Sequence, residues 1–184
     1  MLVTLPPEEV LELAQVAAAI ECSKRRFGNT NWGVSSLASR LYSLCAERCV
    51  ASLLGCKHEV KVLPGGDGGI DLVLPRETAY GRTIDVKFRR VRNTDLATRG
   101  LRFWEELVAD LYVLVWPAGE EGWTPLDGFD VVGWATREDF LKRIVSRPPV
   151  RMRGEKWEIR YSELRDCGQL VSLLQERAEQ ASQH

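Results

Sequence analysis

Histidine is scarce in this sequence: of 184 residues, only His58 and His184 carry an imidazole. Catalytic schemes that need two or three clustered histidines are excluded, as are zinc centres drawing on several imidazoles. The five cysteines, Cys22, Cys45, Cys49, Cys56 and Cys167, contain no C-x-x-C pair. Cys45 and Cys49 stand four apart, with Cys56 and His58 shortly after, so a metal knuckle has to be weighed. The spacing favours buried free thiols. A basic secretory leader is lacking at Met1-Leu2-Val3-Thr4, and together with unpaired thiols this points to the cytoplasm. The longest apolar stretch near the start, 13–20, contains Gln15 and is far too short to cross a bilayer, so no membrane partner is expected. Internal repeats, low-complexity tracts and long linkers are also missing, and a single domain is expected over 1–184.

An excess of either charge is lacking too. The formal net charge is -1, with 45% hydrophobic and 28% charged residues, a balance that supports a core without disulfides or a structural metal. The charge is unevenly placed. Lys87, Arg89, Arg90, Arg92, Arg99 and Arg102 face only Asp95 in their stretch, whereas 105–139 is acidic apart from Arg137. A global charge argument for nucleic acid therefore fails and a local one survives.

The order of elements follows from periodicity and punctuation. Pro6-Pro7-Glu8-Glu9 opens a helix that Val10, Leu13, Ala14, Ala17 and Ala18 carry to about Cys22. After a polar loop, Ser35 or Ser36 caps a second helix that Gly55 ends. Strands are expected over 59–63, 70–74 and 83–89 as an antiparallel meander, then a partly helical segment over 94–109 and a strand over 111–116. A strand over 129–134, a helix over 137–145 capped by Thr136, a strand over 157–161 and a helix over 170–181 follow. The fold class is α/β, a mixed sheet flanked by helices.

The chemistry is concentrated in Ile84-Asp85-Val86-Lys87-Phe88. Alternation in a strand puts Asp85 and Lys87 on one face, about 7 Å apart along the chain. Asp71 follows a glycine turn at the start of the preceding strand, and a hairpin would bring it towards Asp85. Glu47 falls on the apolar stripe of the second helix, where a carboxylate is costly unless paired or metal-bound. Glu47, Asp71 and Asp85 thus form a candidate oxygen-ligand set for Mg²⁺ or Mn²⁺, with Lys87 beside it.

Glu47 in its helix, Asp71 in Gly68-Gly69-Ile70-Asp71-Leu72, and Asp85-Val86-Lys87 together resemble the PD-(D/E)xK nuclease superfamily. That superfamily includes restriction endonucleases and Holliday-junction resolvases. Ile70 stands where the family often has proline. The resemblance implies an αβββαβ core over 36–140, with 1–35 as a helical extension and 141–184 as a terminal strand and helix. It implies a magnesium- or manganese-dependent deoxyribonuclease in which Asp71, Asp85, Glu47 and the Val86 main-chain carbonyl hold the metal. Lys87 would orient or help to deprotonate the attacking water, so that Lys87→Ala would leave metal affinity largely intact. DNA is the expected partner, with RNA and a homodimer as further possibilities. Phosphate contacts are expected from Arg89, Arg90, Arg92 and Arg99, and a base contact from Trp32. Two rival readings are a nuclease-fold module that binds nucleic acid without cutting it, and a protein-interaction subunit using the acidic 105–139 stretch.

Overall fold

The structure of the protein is a computed structural model that describes residues 1–26, 37–60, 69–98, 107–146, 150–151 and 155–181. The chain enters through a short strand β1 (Leu2–Val3) and helix α1 (Pro7–Arg26). Pro7 supplies the preset φ of a first helical residue, and Glu8 and Glu9 lie at the positive end of the helix dipole. Leu13, Ala17 and Ile20 are buried, the spacing of one helix face, and that face packs on α2 (Leu37–Leu54). Gly55 stops α2 with a φ of 64°, and the Cys56 N–H reaches back to the Ala51 carbonyl at 2.9 Å. That is the six-to-one bond of a glycine C-cap.

Strands β2 (Leu72–Thr78) and β3 (Gly81–Phe88) form a hairpin, and β4 (Leu96–Thr98), β5 (Leu111–Pro117) and β6 (Phe129–Thr136) follow. A mixed sheet runs in the order β1-β6-β5-β3-β2. Its one parallel pair is β3 with β5, in the register Ile84↔Leu111 to Phe88↔Val115; the other pairs are antiparallel. Helix α3 (Arg137–Ser146), strands β7 (Val150–Arg151) and β8 (Glu155–Ile159) and helix α4 (Cys167–Ala181) complete the described chain, and β4, β8 and β7 make a second, small sheet. No described helix is long and apolar enough to cross a membrane.

β5 is buried along its whole length because it serves two cores. Leu111, Val113 and Val115 join Ile84, Val86 and the apolar faces of α1, α2 and α4. Tyr112, Leu114 and Trp116 join Leu96, Phe140 and Ile159 on the other side. A strand covered on both faces has no use for polar alternation, which is why 111–116 reads as a continuous apolar run.

The strand expected over 70–74 begins two residues later and runs four residues further, and the expected segments differ more in three other places. Of the strand expected over 59–63, residues 59–60 are not in a strand and the rest lies outside the described residues. Within 94–109, Leu96–Thr98 form a strand, in which Leu96 pairs with Ile159 and Thr98 with Trp157 and Leu96 is buried in the second core; residues 94–95 and 107–109 are in neither helix nor strand, and 99–106 lie outside the described residues. The strand expected over 157–161 ends at Ile159, since Tyr161–Glu163 form a 3-10 turn whose Tyr161 N–H bonds to the Asp95 carboxylate at 3.1 Å.

Candidate functional site

β3 lies between an antiparallel neighbour and a parallel one, and its side chains alternate between the two cores. Ile84 and Val86 enter the core under α2. Asp85 and Lys87 register with Tyr112 and Leu114, so they face the side of the sheet covered by α3 and the small sheet. Asp85 is 7% exposed. A carboxylate so deeply placed needs a partner, and the Lys87 ammonium provides one, 2.6 Å from Asp85 Oδ2. Because β3 is an interior strand, this ion pair does not lie on a sheet edge.

Asp71 is the residue just before β2. Its main-chain N–H donates to the Ile84 carbonyl at 2.9 Å, and its Oδ2 accepts the Val86 N–H at 2.6 Å. Asp71 is therefore bonded to the main chain of both chain neighbours of Asp85, where the hairpin ends. Gly69, two residues earlier, has a φ of 83°, and a Cβ there would meet nothing within 4 Å. Its requirement is thus conformational.

Glu47 is turned elsewhere. α2 covers the opposite face of the sheet from Asp85, and Glu47 Oε2 lies 3.0 Å from Nε2 of His58, whose side chain is 2% exposed. Arg48 donates its Nε–H to His58 Nδ1 at 3.2 Å and bonds Glu9 Oε2 at 2.9 Å. With Nδ1 accepting, the imidazole proton sits on Nε2 and points at Glu47. Among the described residues, no three of His, Cys, Asp and Glu gather into a group able to hold a metal. The structure thus joins Asp71, Asp85 and Lys87 and gives Glu47 to a chain of hydrogen bonds linking α1, α2 and His58. By donor type, the two aspartates and the main chain at Val86 fit a hard divalent cation.

The thiols behave as buried apolar groups. Burial pushes Cys45 and Cys49 up to about 12, in Cys45 with Arg48 opposing and Glu47 reinforcing.

The basic run divides by role. Arg89 donates to the Ala97 carbonyl at 2.8 Å, and burial lowers its pKa against the opposing pull of Glu158. Arg92 bonds the Pro117 carbonyl at 2.7 Å and Asp130 at 3.1 Å, and its guanidinium lies 5.6 Å from the Trp116 ring centroid. Both guanidinia therefore tie β3 and its exit to neighbouring strands. Arg90 is exposed, with its guanidinium 5.9 Å over the Tyr42 ring. Arg99, Arg102, Trp32 and Trp104 lie outside the described residues. Trp116 and Trp134 are buried in the core. Sequence reasoning missed Asp110, whose Oδ2 accepts the N–H groups of Arg82 and Thr83 at 2.8 and 2.9 Å and the Thr83 hydroxyl at 2.7 Å. This carboxylate locks the start of β3 to the start of β5; its only signal was an acid directly before an apolar run. The Tyr42, Phe88, Trp123 and Phe129 cluster beside Arg90 was also missed, because these residues lie far apart in sequence.

Comparison with family models, curated proteins and solved structures returns no match for the chain.

Proposed function

We propose that the chain is a metal-dependent nuclease that hydrolyses phosphodiester bonds in DNA, with a restriction-endonuclease-like core built around the β2–β3 hairpin. The observation that carries this reading is the bond from the Val86 N–H, between the paired Asp85 and Lys87, to the Asp71 carboxylate across that hairpin. A purely structural site has little reason to bring two acids and an ammonium to one end of a hairpin. When bound, Mg²⁺ or Mn²⁺ would supply Lewis acidity and an acidified water. The residues of the chain do the rest. Asp71 and Asp85 would hold the cation, Lys87 would offer a proton donor to the phosphate oxygens, and exposed Arg90 would hold the backbone of the nucleic acid. Glu47 belongs to this reading only as a group that shapes α2 behind the sheet.

The test is incubation of the protein with supercoiled and linear DNA in Mg²⁺ or Mn²⁺, with and without a chelator. Cleavage that depends on the metal, and that falls by about a hundredfold or more in Asp71→Asn and Asp85→Asn, is the expected outcome. Wild-type rates in both variants, or full activity in chelator, would overturn the reading. DNA binding without cleavage in either metal would identify a binding module instead.

A further inference from the structure

The ammonium of Lys87 stands 2.6 Å from Asp85 Oδ2, with the Asp85 side chain 10% and the Lys87 side chain 31% exposed. An ammonium placed on a carboxylate oxygen occupies space that a cation liganded by that oxygen would need. Asp71, Asp85 and Lys87 together carry one net negative charge; adding a divalent ion reverses the sign, and the ammonium then faces repulsion. The lysine stem is long and flexible and opens towards solvent, whereas Asp85 is fixed on an interior strand.

We propose that Lys87 is the resident counter-ion of Asp85, and that a divalent cation displaces it. The freed ammonium then turns to the phosphate, so that the lysine is made available by the metal. The phosphate half of this inference rests on the nuclease reading. The exchange of one cation for another concerns the chain alone and is tested without nucleic acid.

Two readouts are used, both on the full chain. Calorimetric titration with Mn²⁺ should show Lys87→Met binding about tenfold more tightly than wild type, because a competing cation has been removed, while Lys87→Arg stays near wild type. In the unaltered protein, acylation of the Lys87 amine, followed by peptide mapping, should rise severalfold at saturating Mn²⁺. Asp85→Asn should raise it without metal. A lysine that acts only on the attacking water leaves affinity unchanged in Lys87→Met and leaves acylation insensitive to Mn²⁺; that pair of results overturns the proposal. If Mn²⁺ affinity tightens and the wild type cuts no DNA, the exchange stands and the nuclease reading falls. If the wild type cuts and neither readout moves, only the exchange falls.

Discussion

Glu47 has a different partner from the one its helix position suggested. A carboxylate on the apolar stripe of α2 called for a metal or an arginine, and it receives the Nε2–H of a buried histidine that an arginine orients from the other side. Glutamine at 47 still offers an oxygen to that N–H, so Glu47→Gln should cost about 1 kcal/mol or less. His58→Ala removes the donor to Glu47 and the acceptor of the Arg48 Nε–H and leaves a cavity, and should cost about 2–4 kcal/mol. Urea unfolding of the two variants measures the difference; equal losses would show that the imidazole contributes nothing specific. A second residue-scale consequence concerns acid. Desolvation pushes the Asp110 carboxyl up, but the Thr83 and Arg82 N–H groups and the Thr83 hydroxyl outweigh it and hold the group below its ordinary value. A carboxylate depressed in the folded state stabilises fully above its unfolded value of about 4, and the contribution is lost as pH falls from there through the lower folded value. Asp110→Asn should therefore lower stability at neutral pH and flatten its decline below about pH 4, read from thermal melts across that range. A parallel displacement of the whole curve would contradict this.

The β2–β3 turn fixes both the hairpin and its attachment to β5. Gly81 adopts a φ of 108°, and a Cβ there would lie 2.4 Å from Asp110 Cβ. Gly81→Ala thus meets both a strained backbone and a collision with the carboxylate that locks the turn, and should cost about 2–4 kcal/mol; Gly69→Ala, strained but in open space, should cost about 1 kcal/mol. Chemical denaturation ranks the two, and the reverse order would mean that Asp110 moves aside freely. Much of this level was legible in the sequence. The helices α1 to α4, the β2–β3 hairpin and the strands β5 and β6 follow from periodicity, from Gly55 and from Thr136, whose hydroxyl and N–H both bond the Asp139 carboxylate. β4 was not legible, since Leu96–Thr98 becomes a strand only through its pairing with β8, some sixty residues later in the chain. The proximity of Asp71 to Asp85 was legible from two short strands and a turn. The separation of Glu47 from them was not, because helix periodicity shows that a face is buried and leaves open which side of the sheet buries it.

At the scale of the molecule, the sheet divides the chain between two cores, and the charge pattern follows that division. Arg89 and Arg92 spend their guanidinia on main-chain carbonyls and on Asp130, while Arg90 remains outside. If DNA binds here, Arg90→Ala should lessen the slope of log affinity against log salt by up to about 0.9, the value of one released counter-ion on duplex DNA. Arg92→Ala should leave that slope unchanged and lower the melting temperature. Titrations at several salt concentrations, paired with melts, distinguish the two; a slope altered by Arg92 alone would reverse the assignment. The parallel pairing of β3 with β5 also orders events in time. Thr83 and Asp110, the residues that lock the two strands, are 27 positions apart, and a parallel pair cannot form until the intervening loop has closed, a step whose entropic cost precedes any reward. As the chain leaves the ribosome, Asp71, Asp85 and Lys87 are all made before β5, so the hairpin that carries them gains its parallel neighbour only after synthesis has passed Pro117. A chain released before that point would carry the hairpin without the strand that makes β3 an interior one.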